Sequence, residues 1–218
     1  MGIKCIVFVS VILLIGYSVP IKAQEKHDIT VKTTWGIKSE TNMSSFFVSG
    51  ISVVDSKMKL GFSAGAFLNL EFSDHFALQG DLLYHYKTSD FKREGINGEY
   101  RYWGMEIPVY AIYQWKLSKG NRFYTGIGPC AEFGFSAKLK RNNQKIDLYE
   151  KNKNAESEIS AMKDSDVGFG IIIGYELSNG FQINAGYKIG VTNILDANSN
   201  SFSLRPNTIN LGIGYHFR

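Results

Sequence analysis

The sequence predicts an all-β fold, an eight-stranded antiparallel up-and-down transmembrane β-barrel with short periplasmic turns and long extracellular loops. Three observations carry that expectation. The first is strict alternation: in "MKLGFSAGAFLNLEF" (58–72) every even position is apolar, while the odd ones are charged, polar or glycine except Phe67. The second is composition, with 22 glycines and 14% aromatic residues in 218, a mixture suited to strands and tight turns. The third is the opening "MGIKCIVFVSVILLIGYSVPIKAQ", in which a basic Lys4, an apolar run from Cys5 to Ile15, Pro20 and a small Ala23 follow the layout of a secretory signal peptide. That run falls well short of the ~20 residues a spanning helix needs. We therefore expect cleavage after Ala23, leaving 1–23 as signal and 24–218 as a single barrel domain.

Taken in order along the chain, eight segments carry the period-two pattern. The first, "VKTTWGIKSE" (31–40), is the weakest, with Val31, Trp35 and Ile37 on one face; 58–72 is the second. "FALQGDLLYHYK" (76–87) sets Phe76, Leu78, Leu82, Tyr84 and Tyr86 against Gln79, Asp81, His85 and Lys87. "WGMEIPVYAIYQW" (103–115) and "FYTGIGPCAEFGF" (123–135) follow, and "VGFGIIIGYEL" (167–177), "FQINAGYKIGV" (181–191) and "INLGIGYHF" (209–217) complete the set. Short connections, "SDH" (73–75), "KLSKGNR" (116–122) and "SNG" (178–180), are made of turn-forming residues and alternate with long ones at 41–57, 88–99 and 138–166. Such alternation is that of a meander with every long loop at one end. No interval holds an amphipathic helix of crossover length, so a parallel α/β sheet is not expected. The 138–166 interval is polar with mixed charge and reads as a surface loop, external and dispensable for folding.

Two solutions fit an eight-stranded meander: a soluble lipocalin-like barrel with its apolar face inside, and a membrane barrel with that face outside. Side-chain volume favours the second. An eight-stranded barrel has room inside only for side chains or one small ligand, and the apolar face is too rich in Phe, Tyr, Trp, Leu and Ile to fit there. The opposite face, with its glycines and Lys59, Glu71, Asp81, Lys87, Glu106, Glu132, Glu176 and Lys188, fits and can pair its charges. Aromatic spacing agrees. Phe76 and Tyr86, Trp103 and Tyr113, and Phe123 and Phe133 each share a face ten residues apart. Ten residues at ~3.3 Å and a tilt of about 40° rise roughly 25 Å, the height of an outer-membrane apolar band. The same periodicity sends Ile107 to lipid and its neighbour Glu106 to the lumen, with Lys59 or Lys188 as partner.

The segments "YWGMEIPVYAIYQWKL" (102–117), "YTGIGPCAEFGFS" (124–136), "VGFGIIIGYEL", "FQINAGYKIGVTNI" (181–194) and the closing "INLGIGYHF" resemble the PorT-like outer-membrane β-barrel proteins of Gram-negative bacteria. The resemblance spans nearly the whole mature length. It departs at Arg218, where an aromatic terminus is usual. It implies the barrel fold, outer-membrane location and, for one branch, a link to protein secretion.

Chemistry-bearing patterns are few. The formal charge of +4, falling to 22 basic against 20 acidic residues without Lys4 and Lys22, is too small to suggest a nucleic-acid binder, and none is expected as partner. Cys130 is the single cysteine after residue 23, so no internal disulfide is expected. "GFGIIIG" (168–174) is read as structural spacing, because no helix follows to receive a phosphate. His75, His85 and His216 lack ligand spacing, and no metal is expected. Glu106 and Glu132 meet either as an acid/base pair or, the favoured reading, as part of a charge-neutralising plug with Lys59 and Lys188. We expect no catalytic, cofactor or metal residues, a monomer, outer-membrane lipid as the surrounding partner, and a protein partner met through the external loops. The alternatives are an outer-membrane enzyme using a rim serine among Ser44, Ser45 and Ser89, and a small pore.

Overall fold

The computed structural model describes residues 31–49, 55–93, 96–141, 144–149, 163–194 and 203–217, so the expected signal segment lies outside the described residues. Residues 31–218 cluster as one unit. Among the described residues no helix is long and apolar enough to cross a membrane.

Nine strands form one sheet: β1 (Lys32–Ser49), β2 (Asp55–Glu71), β3 (Phe76–Arg93), β4 (Ile96–Lys116), β5 (Arg122–Arg141), β6 (Gln144–Asp147), β7 (Ser165–Glu176), β8 (Phe181–Gly190) and β9 (Ser203–Phe217). Pairing runs β1-β2-β3-β4-β5-β7-β8-β9 and returns to β1, all antiparallel, which closes a ring of eight with β6 appended to β5. Closure leaves no edge within the ring, so backbone N–H and C=O groups are paired around the barrel, as hydrocarbon requires. All eight expected strands are present.

The tight turns share one end. Ser73 Oγ accepts hydrogen bonds from the amides of His75 (3.3 Å) and Phe76 (3.0 Å) in the first. In the second, Lys119 and Gly120 take φ of 63° and 79°. Gly180 takes φ of 89° in the third, a conformation that side chains bearing a Cβ seldom adopt.

At the opposite end the strands are longer than the alternation foretold. The 41–57 and 88–99 intervals are mostly strand: β1 continues to Ser49, β2 starts at Asp55, β3 ends at Arg93 and β4 begins at Ile96. Residues 138–141 prolong β5 and 144–147 form β6, so the interval read as one surface loop begins as a hairpin; residues 150–162 lie outside the described set. Period two is interrupted there. Ser44, Ser45 and Phe46 are all buried in succession, as are Lys87, Thr88 and Ser89.

Within the ring the sidedness is inside-out. Leu60, Phe76, Ile127 and Leu211 are 67%, 58%, 60% and 64% exposed, whereas Asp81, Glu106, Glu176 and His85 are 3% or less. Aromatic side chains gather at both limits of the apolar band. Near the turns, Trp35 lies 4.3 Å from Phe217, Phe76 5.1 Å from Tyr113 and Trp115 5.3 Å from Phe123, measured between ring centres. At the far limit Trp103 meets Tyr86 at 4.5 Å and Phe62 at 5.8 Å. Phe76 pairs with Tyr113 and Tyr86 with Trp103, so two of the ten-residue spacings read from the sequence mark the same two heights. Ile37, Leu82, Ile127, Ile171, Ile173 and Ile213 stand exposed between them.

Candidate functional site: the filled lumen and its mouth

Through the apolar band alternate residues of the ring strands point inward, and glycines decide how much volume arrives there. Gly36 pairs with Phe67, and Gly174 with Tyr124. A Cβ on either glycine would run into the facing ring. Thus Phe67, the one exception to the alternation of 58–72, lies over Gly36 inside the barrel, 3% exposed and edge-on to His216 with ring centres 5.4 Å apart.

Polar groups fill the lumen in three tiers. Nearest the turns, Arg122 on β5 donates to Glu71 (2.5 Å), to Gln114 (3.1 Å) and through Nη2 to both oxygens of Glu176 (2.9 and 2.8 Å). His216 lies between Glu176 (3.1 Å) and Thr34 (2.6 Å). In the middle tier Lys38 bridges Asp81 (2.6 Å) and Glu40 (3.0 Å), and Gln79 donates to Asp81 at 2.8 Å. Tyr110, Ile112, Tyr124 and Ile172 pack with Ala77 as an apolar cluster inside the barrel. In the upper tier Lys188 pairs with Glu106, and Lys87 with Glu132 (2.6 Å) and Glu106 (3.7 Å). Charges so buried are retained when paired; removing one partner leaves the other exposed to a low-dielectric interior.

Above the upper tier the interior becomes apolar. Phe46, Tyr100, Tyr102, Ala137, Leu148, Ile194 and Leu204 form a buried cluster, with Leu139, Ile146 and Tyr149 packed against it. Ile146, Leu148 and Tyr149 thus anchor the β5–β6 hairpin to this cluster, with β6 extending the wall beside β5. Beside it, Tyr100, Tyr102, Tyr149, Lys87, Glu132 and Asp166 line a pocket with about 460 Å³ of atom-free space, part of it open solvent.

The residues singled out from sequence fall as follows. Glu106 and Glu132 are direct cross-strand partners, and Lys188 is the partner of Glu106. Lys59 is not: it sits at the rim, 3.0 Å from Asp90 and 3.4 Å from Glu99. The register shift between Met58 and Phe62 is a local irregularity that period counting does not reveal. The three histidines stay apart. His75 stacks on Tyr113 in a turn and His216 belongs to the tier nearest the turns. His216 has the single carboxylate of Glu176 beside it, whereas His85 converges with two, Glu106 and Glu132, to within 4.8 Å. Lys87 and Lys188 already neutralise both acids, so the donor set does not fit a divalent cation without displacing two buried ammonium groups. Lys38 reads from the sequence on the polar face of the weakest segment, with Lys32, Gly36 and Glu40, but its pairing with Asp81 was not legible there; Arg122, read as the last residue of the 116–122 turn, instead opens β5 and points inward.

Such a ring, apolar outside and salt-bridged inside, is a transmembrane barrel with an occupied lumen. Residues 22–196 match the family model described as "Outer membrane protein beta-barrel domain", and the chain belongs to that family. The matched stretch stops short of β9. Among solved structures, the outer membrane protein OprG from Pseudomonas aeruginosa is similar at 12% identity and a TM-score of 0.52, covering 85% of this chain and 96% of that one. Neisserial surface protein A is similar at 13% identity and a TM-score of 0.47, with 85% and 99% covered. These likenesses concern the fold alone. A search of curated protein sequences found no match.

Proposed function

We infer that this outer-membrane barrel is an anchor, and that its work is done by the wall of strand standing above the lipid band, which presents an interaction surface to a protein partner outside the cell. One observation carries the reading. The β3–β4 ladder continues for seven residue pairs beyond Tyr86 and Trp103, from Lys87 and Tyr102 to Arg93 and Ile96. Seven residues at ~3.3 Å and a tilt of about 40° raise the wall by roughly 18 Å. A lumen plugged by ion pairs supports a protein that acts at its rim over one that conducts. Ser44 and Ser45 are engaged by Thr208 (3.0 Å) and Asn207 (2.9 Å) rather than by a histidine, which supports a non-catalytic role. The PorT-like resemblance suggests protein secretion or envelope assembly as the setting. Residues 1–23 serve as the export signal, and N-terminal sequencing of the outer-membrane protein should begin at Gln24.

The decisive experiment shortens the wall. Lys87 is joined to Tyr102 through an Asn-Gly turn, which suits a two-residue hairpin, and both proteins are cross-linked on intact cells. Wild type should yield a defined adduct that the shortened barrel lacks, although both insert equally. An unchanged adduct pattern, or appreciable single-channel current through the wild-type barrel, would overturn the reading.

A further inference from the structure

We propose that the outward face of β4 and β5, just above the aromatic limit of the apolar band, binds the phosphate groups of an outer-leaflet glycolipid; the inference rests on the orientation given to the rim above. Tyr100, Tyr102 and Ala137 are buried in the inner cluster, and Leu139 packs against it, so the residues alternating with them, Arg101, Lys138 and Lys140, face outward. All three are exposed. Arg101 and Lys138 are direct cross-strand partners. Like charges placed opposite one another disfavour a sheet, and an anion between them removes that cost.

Height is the second argument. Arg101 lies two residues beyond Trp103 on β4, a rise of about 5 Å at ~3.3 Å per residue and barrel tilt. The polar layer on each side of a bilayer is itself only about 5–7 Å deep. Arg101 and Lys138 therefore stand at headgroup level. Below them Trp103, Tyr84, Tyr86, Phe62 and Phe135 form a continuous aromatic patch: Tyr84 stacks on Phe135 with ring centres 6.2 Å apart, and Trp103 contacts Tyr84, Tyr86 and Phe62. Rings of this kind favour the boundary between acyl chains and headgroups.

The local carboxylates cancel the cations only in part. Glu99, which stands opposite Lys140 across the β4–β5 ladder, is shared by Arg101 (3.0 Å) and Lys59 (3.4 Å), and Asp90 is taken by Lys59 (3.0 Å). Asp147, opposite Lys138 on β6, accepts the amide of Tyr149. Among the described residues Lys138 and Lys140 have no ion-pair partner. At the turn end, by contrast, Lys116 is paired with Asp74. A phosphorylated glycolipid supplies both components, acyl chains for the aromatic patch and fixed anions for the basic one.

The test uses the whole protein purified in detergent from outer membranes, with native mass spectrometry reading the adducts formed with bisphosphorylated lipid A, dephosphorylated lipid A and inorganic phosphate. Wild type should retain the bisphosphorylated lipid over the other two. The triple variant R101Q/K138Q/K140Q should weaken that retention about tenfold or more. The turn-end variant K116Q/K119Q should retain it as wild type does. Equal retention by the triple variant, or no discrimination between the two lipids, would overturn the proposal. Thiol labelling of Phe47→Cys, exposed at the same end of the barrel on β1 and outside the basic patch, separates this from the orientation in intact cells: no reaction there sinks both, whereas reaction without lipid retention sinks only the lipid site.

Discussion

At the scale of single residues, the account turns on which of two neighbouring side chains meets lipid. Ile127 stands 60% exposed midway between the aromatic limits, and Ile127→Lys should lower stability by about 2–4 kcal/mol in urea unfolding from phospholipid vesicles. Inside, Arg122 holds Glu71 and Glu176, so Arg122→Met should cost about 3–5 kcal/mol because two buried carboxylates lose their counter-ion. Glu106→Gln belongs with it: Lys188, Lys87 and His85 all converge on that carboxylate. Facing direction was legible residue by residue from alternation, and Phe67 was legible as an anomaly. Its resolution was not, because the glycine that makes room for it lies on another strand, at position 36, and only register brings the two together.

At the scale of elements, turns and strand ends separate what sequence can fix from what it cannot. The two positive-φ glycines should not tolerate substitution equally. Gly120→Ala places its Cβ 3.4 Å from Ser178 Cβ, in open contact, so only the backbone conformation costs, about 1–2 kcal/mol. Gly180→Ala adds a clash with the carbonyl of His216 and should be clearly worse in the same unfolding assay. Turn chemistry at 73–75, 116–122 and 178–180 was plain in the sequence because it depends on local residue types. The tall ends of β3 to β6 were not. Above the lipid no single face has to be apolar, and the "KLKRNNQKID" of 138–147 carries hairpin information only through pairing with β4 and the apolar anchors Leu148 and Tyr149. The expectation that 138–166 is dispensable therefore narrows. Protease cleavage on intact cells within 150–162 should leave a folded barrel, whereas deletion of 144–149 should expose the mouth cluster and raise susceptibility to further proteolysis.

At the scale of the whole molecule, an all-β chain with apolar side chains outward and ion pairs inward is stable only where lipid replaces water around it. Class and location followed from the sequence because a single physical constraint, the bilayer, imposes one period and one spacing on every strand. The tiers of the lumen and the wall above the band depend on long-range register, which periodicity does not encode. The most direct measurement is paramagnetic accessibility of spin labels placed one at a time at Ile209, Asn210, Leu211 and Ile213 on β9, in a Cys130→Ser background reconstituted in vesicles. The structure has Ile209, Leu211 and Ile213 exposed and Asn210 buried. Membrane-dissolved oxygen should relax the labels at 209, 211 and 213 strongly and the label at 210 weakly, with a water-soluble nickel reagent reaching none of the three outward sites. Strong relaxation by the nickel reagent at 211 and 213, from a protein that stays in solution without detergent, would contradict the inside-out barrel.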